Sequence, residues 1–119
     1  MYAVVRRDLD MPTGKLAAQA GHAFESSLYN AQKSHGNVVK SYKGNKGGSK
    51  VITQAKNENA LIRAYNQALA DGLPCSLIID NHHYLPPYFD GITPVITALG
   101  IGPVTKSESK HITKRFSCV

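Results

Sequence analysis

Tryptophan is absent from this 119-residue sequence, cysteine occurs only twice, and no long apolar run is present. Cys75 and Cys118 form neither a C-x-x-C pair nor a disulfide framework, so we expect both to be reduced thiols. No stretch approaches the roughly 18 apolar residues of a membrane span, and the first residues lack the apolar core of a signal peptide. We therefore expect a cytoplasmic protein that does not enter a membrane.

Acidic residues are also scarce, with 8 Asp and Glu against 14 Lys and Arg, which gives a formal net charge of +6. Such a charge favours a polyanionic partner, because clustered cations release counterions when they neutralise phosphates. Composition alone leaves a nucleic-acid partner and a merely solubilising charge equally open. The apolar content of 42% is enough for one hydrophobic core, so residues 1–119 are predicted to form a single domain.

The most informative stretch is residues 4–23, which read VVRRDLDMPTGKLAAQAGHA. Residues 2–5 are mostly β-branched and aromatic, which predicts a strand, and residues 8–14 contain the Asp, Pro, Thr and Gly of a connection. A helix is then predicted over about residues 14–34, with Thr13 as its N-cap and with the following glycine as its stop signal.

Within that helix, a period of 3.6 places four polar side chains on one narrow face: Lys15, Gln19, His22 and Ser26. A solvated polar face is the ordinary interpretation of such spacing. Lys15 argues against it, since the helix macrodipole disfavours a cation in the first turn unless the residue has a task there. The helix is also rich in alanine and glycine, which indicates that another element or a substrate comes close.

The middle of the chain predicts an alternation of strands and helices. Residues 50–55 form the second strand, Asn57 caps a helix that ends at Gly72, and the apolar residues 75–79 form a strand buried on both faces. The core stripe of that helix is Leu61, Ala64, Tyr65, Ala68 and Leu69. We expect an α/β fold with a mixed, partly parallel four-stranded sheet and helices on both faces. Asp80 would end a central strand, where open α/β sheets place their sites.

Two irregular segments interrupt this pattern. Residues 37–50 carry four lysines, Lys40, Lys43, Lys46 and Lys50, among three glycines. They predict either a mobile basic loop that follows an RNA backbone or a solvated linker. Residues 81–96 are Pro-rich and predict an irregular loop. Its His82-His83 pair has no spaced third ligand, so no metal site is predicted.

The last quarter of the chain predicts three short elements. Residues 98–101 form a final strand, antiparallel to its neighbours, and residues 105–112 form a helix capped by Thr105 or Ser107. Residues 114–119 add an edge segment.

The pattern R-x-D-L-x-M-x-x-G-K-x-A-A-Q-x-x-H-A, which runs from Arg6 to Ala23, resembles the signature of the second class of peptidyl-tRNA hydrolases, typical of archaea and eukaryotes. TALGIGP at residues 97–103 resembles the T-x-L-G-I-G-P block of that family. Residues 50–55 and 72–80 are similar to its middle. The resemblance covers nearly the whole chain, weakly at residues 34–49 and 81–96 and at the C-terminus.

The resemblance implies hydrolysis of the ester between a peptide and the 3′-terminal ribose of tRNA, without metal or cofactor. The residues carried over by similarity are Lys15, Gln19, His22, Asp80 and Thr97. Cleavage of an ester needs a positioned water, a proton acceptor and a donor for the oxyanion. We expect Asp80 to orient Lys15, which stabilises the oxyanion or relays a proton, and the other three to position the water and the terminal adenosine. His22 is the alternative base, because an imidazole exchanges protons near neutral pH.

The expected partner is tRNA. Arg6, Arg7 and the free N–H groups at the start of the first helix are predicted phosphate contacts, together with Lys40, Lys43 and Lys46. Only Arg6 belongs to the family pattern. The resemblance also implies a possible homodimer, since family members often pair.

One position departs from the family. Four residues after Asp80 the family usually has a threonine, whereas this chain has Tyr84, in a longer loop. Thr93 could take over that role, Tyr84 or Tyr88 could stack on a nucleobase, or catalysis could be lost. Two other functions therefore stay open: a non-catalytic RNA-binding protein with the hydrolase fold, and a protein-interaction domain.

Overall fold

A computed structural model describes residues 1–81 and 83–119 as two sheets and four helices. The main sheet contains β1 (Tyr2–Arg6), β2 (Val51–Ala55), β3 (Cys75–Asp80), β6 (Val95–Ile101) and β7 (Ser117–Cys118). The second sheet pairs β4 (Tyr84–Leu85) with β5 (Phe89–Asp90). The helices are α1 (Thr13–Ser34), α2 (Gly36–Gly44), α3 (Glu58–Ala70) and α4 (Lys106–Thr113).

The main sheet has five strands in the order β3-β6-β1-β2-β7, so the prediction of a four-stranded sheet is wrong. The extra strand, β7, comes from the predicted edge segment and pairs with β2 through only two residues, too few to show a periodicity. The mixed, partly parallel character is confirmed: β1 is parallel to β2, and β6 is antiparallel to both β1 and β3. Strands β1, β2 and β3 therefore run the same way, and their carboxyl ends lie at one end of the sheet.

β3 is an edge strand, so the expected central position of Asp80 and the burial of β3 on both faces are wrong. Ile79 keeps 51% of its surface exposed. A short apolar run fits an edge strand as well as a central one, because strand order depends on pairing partners far away in the sequence.

Helices cover both faces of the sheet, as predicted. Ala3 and Val5 of β1 face α1, and Val4 faces α3 and α4. Asn57 caps α3 by accepting a hydrogen bond from Ala60 N at 2.9 Å, and Thr105 caps α4 in a capping box with Glu108, which confirms both caps. Leu69, expected in the core stripe of α3, is instead 52% exposed.

Small residues fix α1 against the sheet. Its buried face is Ala20, Ala23, Ser27 and Ala31, with Gln19 beside it. A Cβ at Gly100 of β6 would overlap the carbonyl oxygen of Ala23, so glycine allows the backbones to touch. The Ser27 hydroxyl also donates to the Gly102 carbonyl at 2.6 Å. Thr13 is not the N-cap as expected; it is the first helical residue, and Pro12 precedes it without a capping side chain.

The segment predicted as a basic loop is mostly helical. α2 buries Val39, which anchors it, and the Tyr42 ring lies over Gly48 where the chain turns back towards β2. This tertiary burial overrides the local glycine and lysine content. Lys40 and Lys43 lie on α2, and Lys46 lies in the turn that follows.

The segment expected to be an irregular loop contains the β4–β5 hairpin, and β6 begins at Val95. Two-residue strands separated by prolines show no alternation, which explains the wrong prediction. Phe89, the first residue of β5, is only 1% exposed and joins the core beneath α1. Within the part of the chain that the structure describes, no helix is long and apolar enough to cross a membrane.

Candidate active site

Lys15 and Asp80 meet at the carboxyl end of the sheet. Lys15 lies in the first turn of α1, which follows β1, and Asp80 is the last residue of β3, which runs in the same direction. Lys15 Nζ lies 2.7 Å from Asp80 Oδ2, and the two side chains are 11% and 18% exposed. Partial exclusion of water strengthens this ion pair relative to one on the surface. The parallel arrangement of β1 and β3 therefore creates the contact.

The Phe89 ring is the second group in contact with the Lys15 ammonium. Lys15 Nζ lies 4.4 Å from the centroid of the Phe89 ring, a distance at which the ring face attracts a cation. The ammonium is thus held between a carboxylate and an aromatic face. Sequence reasoning missed Phe89, because only the hairpin brings it to Lys15 and nothing in the local sequence predicts the hairpin.

Gln19 and Thr97 form a second, neutral pair. Thr97 Oγ1 donates to Gln19 Oε1 at 2.6 Å, and the two residues are 0% and 5% exposed, in that order. The Gln19 amide oxygen accepts from Thr97, and the amide N–H groups are the donors that Gln19 can offer to another group. No hydrogen bond among the described residues uses that amide nitrogen. Thr97, expected to contact water or adenosine, is fully buried, and its hydroxyl contacts Gln19.

His22 lies at the margin of this arrangement. It is exposed and follows Lys15 by seven residues, which is about 10 Å along the helix axis. Within the described part of the chain no hydrogen bond fixes its ring. Of the two candidate bases, Asp80 is the one that contacts Lys15.

Arg6 is engaged within the protein. Its Nη2 and Nε donate to Asp8 at 2.7 and 3.1 Å, and its Nη1 donates to the Ile96 carbonyl at 2.9 Å. Ile96 precedes Thr97, so Arg6 ties the end of β1 to the strand that carries the buried hydroxyl. It holds backbone beside the site, and a phosphate would have to compete with these contacts.

The other predicted tRNA contacts are dispersed. Lys43 lines a groove with Met1 and Lys50, at the end of the sheet opposite Asp80, and α2 also carries the exposed Lys40. Lys46 is exposed in the turn after α2. Arg7 is exposed as well, but it lies at the same end of the sheet as Asp80, directly after β1. The fold therefore brings only Arg7 of these four to the site's end.

The hairpin presents its tyrosines to solvent: Tyr84 is 73% and Tyr88 48% exposed. Thr93, the possible substitute for the family threonine, is used elsewhere. Its hydroxyl donates to Asp90 Oδ2 at 2.7 Å and its N–H to Oδ1 at 2.6 Å. These bonds, helped by one from the Ile92 N–H, lower the pKa of Asp90 to about 2. Thr93 thus stabilises the turn after β5.

Residues that could hold a metal ion are not brought together among those the structure describes: no three His, Cys, Asp or Glu side chains cluster there. His82 lies outside the described residues, so the structure says nothing of the His82-His83 pair. Cys75 is buried and Cys118 exposed, and neither is in a disulfide.

Fold and site define an α/β protein that holds a lysine–carboxylate pair and a buried amide–hydroxyl pair at one end of its sheet. The sequence model of the family Peptidyl-tRNA hydrolase PTH2 matches residues 1–119. The peptidyl-tRNA hydrolase of Methanocaldococcus jannaschii is 36% identical, over 95% of this chain and 93% of its own. That of Methanococcus vannielii is 37% identical over 95% and 92%, and that of Sulfolobus acidocaldarius 36% over 95% and 93%. The chain belongs to the peptidyl-tRNA hydrolase PTH2 family, which confirms the resemblance.

Proposed function

We propose that this protein hydrolyses the ester that joins a peptide, or an N-blocked aminoacyl group, to the 3′ end of tRNA, and so returns tRNA to translation. The observation that carries the proposal is the Lys15–Asp80 pair, held at 2.7 Å at the end of the sheet, in a chain that matches the PTH2 family along its length. No observation favours the two alternatives, an RNA-binding protein without turnover and a protein-interaction domain.

The pair supplies the two functions that ester hydrolysis needs. Asp80 Oδ2 is engaged by Lys15, and Oδ1 accepts no hydrogen bond from the described residues, so it can accept from a water molecule. As that water attacks the carbonyl carbon, its proton passes to the carboxylate, and the Lys15 ammonium stabilises the oxyanion. The proton then moves to the departing ribose oxygen, and the peptide acid and tRNA are released.

Gln19 and Phe89 prepare the site. The Thr97 hydroxyl holds the Gln19 amide oxygen, which leaves the amide N–H groups to bind the attacking water or the terminal adenosine. The Phe89 ring restrains the Lys15 ammonium without forming a hydrogen bond that would compete with the oxyanion.

Tyr84 supplies a base-stacking surface in place of the family threonine. The hairpin that exposes Tyr84 also carries Phe89, which contacts Lys15, so the Tyr84 ring lies on the solvent side of the element that borders the lysine. Aromatic rings bind unpaired bases by stacking, with little dependence on sequence. Single-stranded bases next to the ester are the substrate feature that this surface fits.

Two broader features complete the proposal. The protein acts in the cytoplasm, where tRNA is used. Two copies pair as a homodimer, as the resemblance to the family implies. A mass measured by light scattering at several concentrations tests the dimer, and a monomer at all of them contradicts it.

The experiment that tests the activity is release of an N-acetyl-aminoacyl group from tRNA by the purified protein. Lys15→Ala should lower kcat by about a hundredfold or more, because it removes the oxyanion donor. Lys33→Ala is the matched control, since Lys33 is an exposed lysine near the far end of the same helix. Binding of tRNA without any release by the wild-type protein contradicts the proposal and restores the non-catalytic alternative.

A further inference from the structure

A second cationic feature lies at the same end of the sheet as Asp80. Four side chains, Arg7, Lys56, Arg63 and Arg115, line a groove of about 290 Å³ with Phe116. We call it the basic groove. Arg7 follows β1, Lys56 follows β2, Arg63 lies on α3 and Arg115 precedes β7, so the fold assembles the groove from four separate segments.

The charges of the basic groove are not balanced by the protein. The ion pairs among the described residues are Arg6–Asp8, Lys15–Asp80 and His111–Asp71, and none involves a cation of the groove. Glu58, close in sequence to both Lys56 and Arg63, pairs with neither. Four like charges around one concavity produce a positive potential that an anion relieves. The basic groove is therefore suited to bind an anion that carries several negative charges.

The distance between the basic groove and the Lys15–Asp80 pair fits a ligand long enough to reach both. Measured along the sheet, Lys56 after β2 lies three strand spacings, about 14 Å, from Asp80 on β3, and β7 lies about 5 Å further. Arg63 lies on α3, on the sheet face opposite α1, which carries Lys15. A stacked nucleic-acid strand advances about 3.4 Å per nucleotide, so this distance corresponds to about four to six nucleotides. If the ester lies at the Lys15–Asp80 pair, the phosphates at that distance reach the basic groove.

We propose that the basic groove binds backbone phosphates of the tRNA acceptor arm about four to six nucleotides from the ester, as a second contact region outside the catalytic pair. This inference rests on the proposed function, because the ester fixes the distance. Guanidinium groups suit phosphate oxygens, which they bind in pairs of hydrogen bonds. Phosphate contacts do not depend on base sequence, so the basic groove would bind different tRNAs with similar affinity.

The test compares two double variants that lose the same charge. Lys56→Ala with Arg63→Ala removes half of the groove. Lys33→Ala with Lys106→Ala removes two exposed lysines at the opposite end of the sheet, where Ile101 of β6 pairs with Tyr2 and α4 begins. Each protein is assayed for binding of uncharged tRNA, and for release from acylated tRNA. Release is also measured from a 3′-terminal trinucleotide that carries the same ester but is too short to reach Lys56, which lies three strand spacings from Asp80.

We expect the groove variant to bind tRNA about tenfold more weakly than the control, the combined effect of two exposed charge contacts. The slope of log K against log salt should decrease by about two. KM for the full substrate should rise similarly, and release from the trinucleotide should be unchanged.

Each other outcome has a distinct meaning. Equal tRNA binding and equal salt slopes for the two variants overturn the basic groove, even if hydrolysis is normal. If the groove variant loses the same fraction of its release rate on full tRNA and on the trinucleotide, the proposal is also overturned. The substitutions would then act on the fold or on the chemistry and not on a distant phosphate contact. Weaker binding by the groove variant, with no release by any protein, upholds the groove and refutes the proposed hydrolase.

Discussion

Gly100→Ala should unfold the protein more easily by displacing α1 from the sheet. The added methyl would overlap the Ala23 carbonyl oxygen and lie 2.9 Å from Ser27 Cβ. Overpacking costs about 1–3 kcal/mol, and the upper end applies here because a backbone carbonyl moves only with its helix. For a domain of this size, about 3 kcal/mol corresponds to a fall in Tm of about 10 °C.

Gly21→Ala is the matched control, since it adds the same methyl to α1 where nothing lies within 4 Å. Helix propensity predicts that it stabilises the protein by about 0.5–1 kcal/mol. Thermal unfolding followed by circular dichroism measures both variants. Because α1 also carries Lys15 and Gln19, kcat of Gly100→Ala should fall even at temperatures where the protein stays folded. Equal Tm values for the two variants would refute the claim that this contact seats the helix.

Thr97→Val should lower both stability, by about 1–3 kcal/mol, and kcat, because it leaves the buried Gln19 oxygen without its donor. Thr97→Ser keeps the hydroxyl and should retain most activity. Denaturant unfolding and kcat are measured for both variants. Wild-type stability and kcat in Thr97→Val would contradict the proposed support of Gln19 by Thr97. Tyr84→Ala should raise KM for acylated tRNA by about fivefold to a hundredfold through the loss of a stacking contact worth about 1–3 kcal/mol, whereas Tyr84→Phe should not. Initial rates over a range of substrate concentrations measure this, and equal KM values for Ala and Phe would argue against stacking.

The sequence predicts the elements that bring Lys15 and Asp80 together better than it predicts the elements around them. Local sequence signals are enough to place three of the candidate site residues. They put Lys15 and Gln19 on one helix and Asp80 at the end of a strand. Their meeting depends on β1 and β3 running the same way, which the alternation of strands and helices predicts. The helix caps at Asn57 and Thr105 are also local, since each depends on residues within one turn.

What could not be predicted depends on distant contacts. Phe89 reaches Lys15 only because a two-residue hairpin forms, and β3 lies at the sheet edge only because β6 inserts between it and β1. α2 owes its helix to the burial of Val39, in a segment whose composition predicts a loop. Arg6 matches the family pattern, yet the sequence gives no sign that Asp8 and the Ile96 carbonyl accept hydrogen bonds from its guanidinium.

The central claim is that Lys15 and Asp80 act as one unit in ester hydrolysis. The most direct measurement is a double-mutant cycle of single-turnover release from N-acetyl-aminoacyl-tRNA, in the presence of chelator, with Lys15→Ala, Asp80→Ala and the two combined. Groups that act together are not additive, so the combined variant should be about as slow as the slower single variant. The claim would be contradicted if the fold-reductions in release rate of the two single variants multiplied in the combined variant. It would also be contradicted if the single variants kept the wild-type rate.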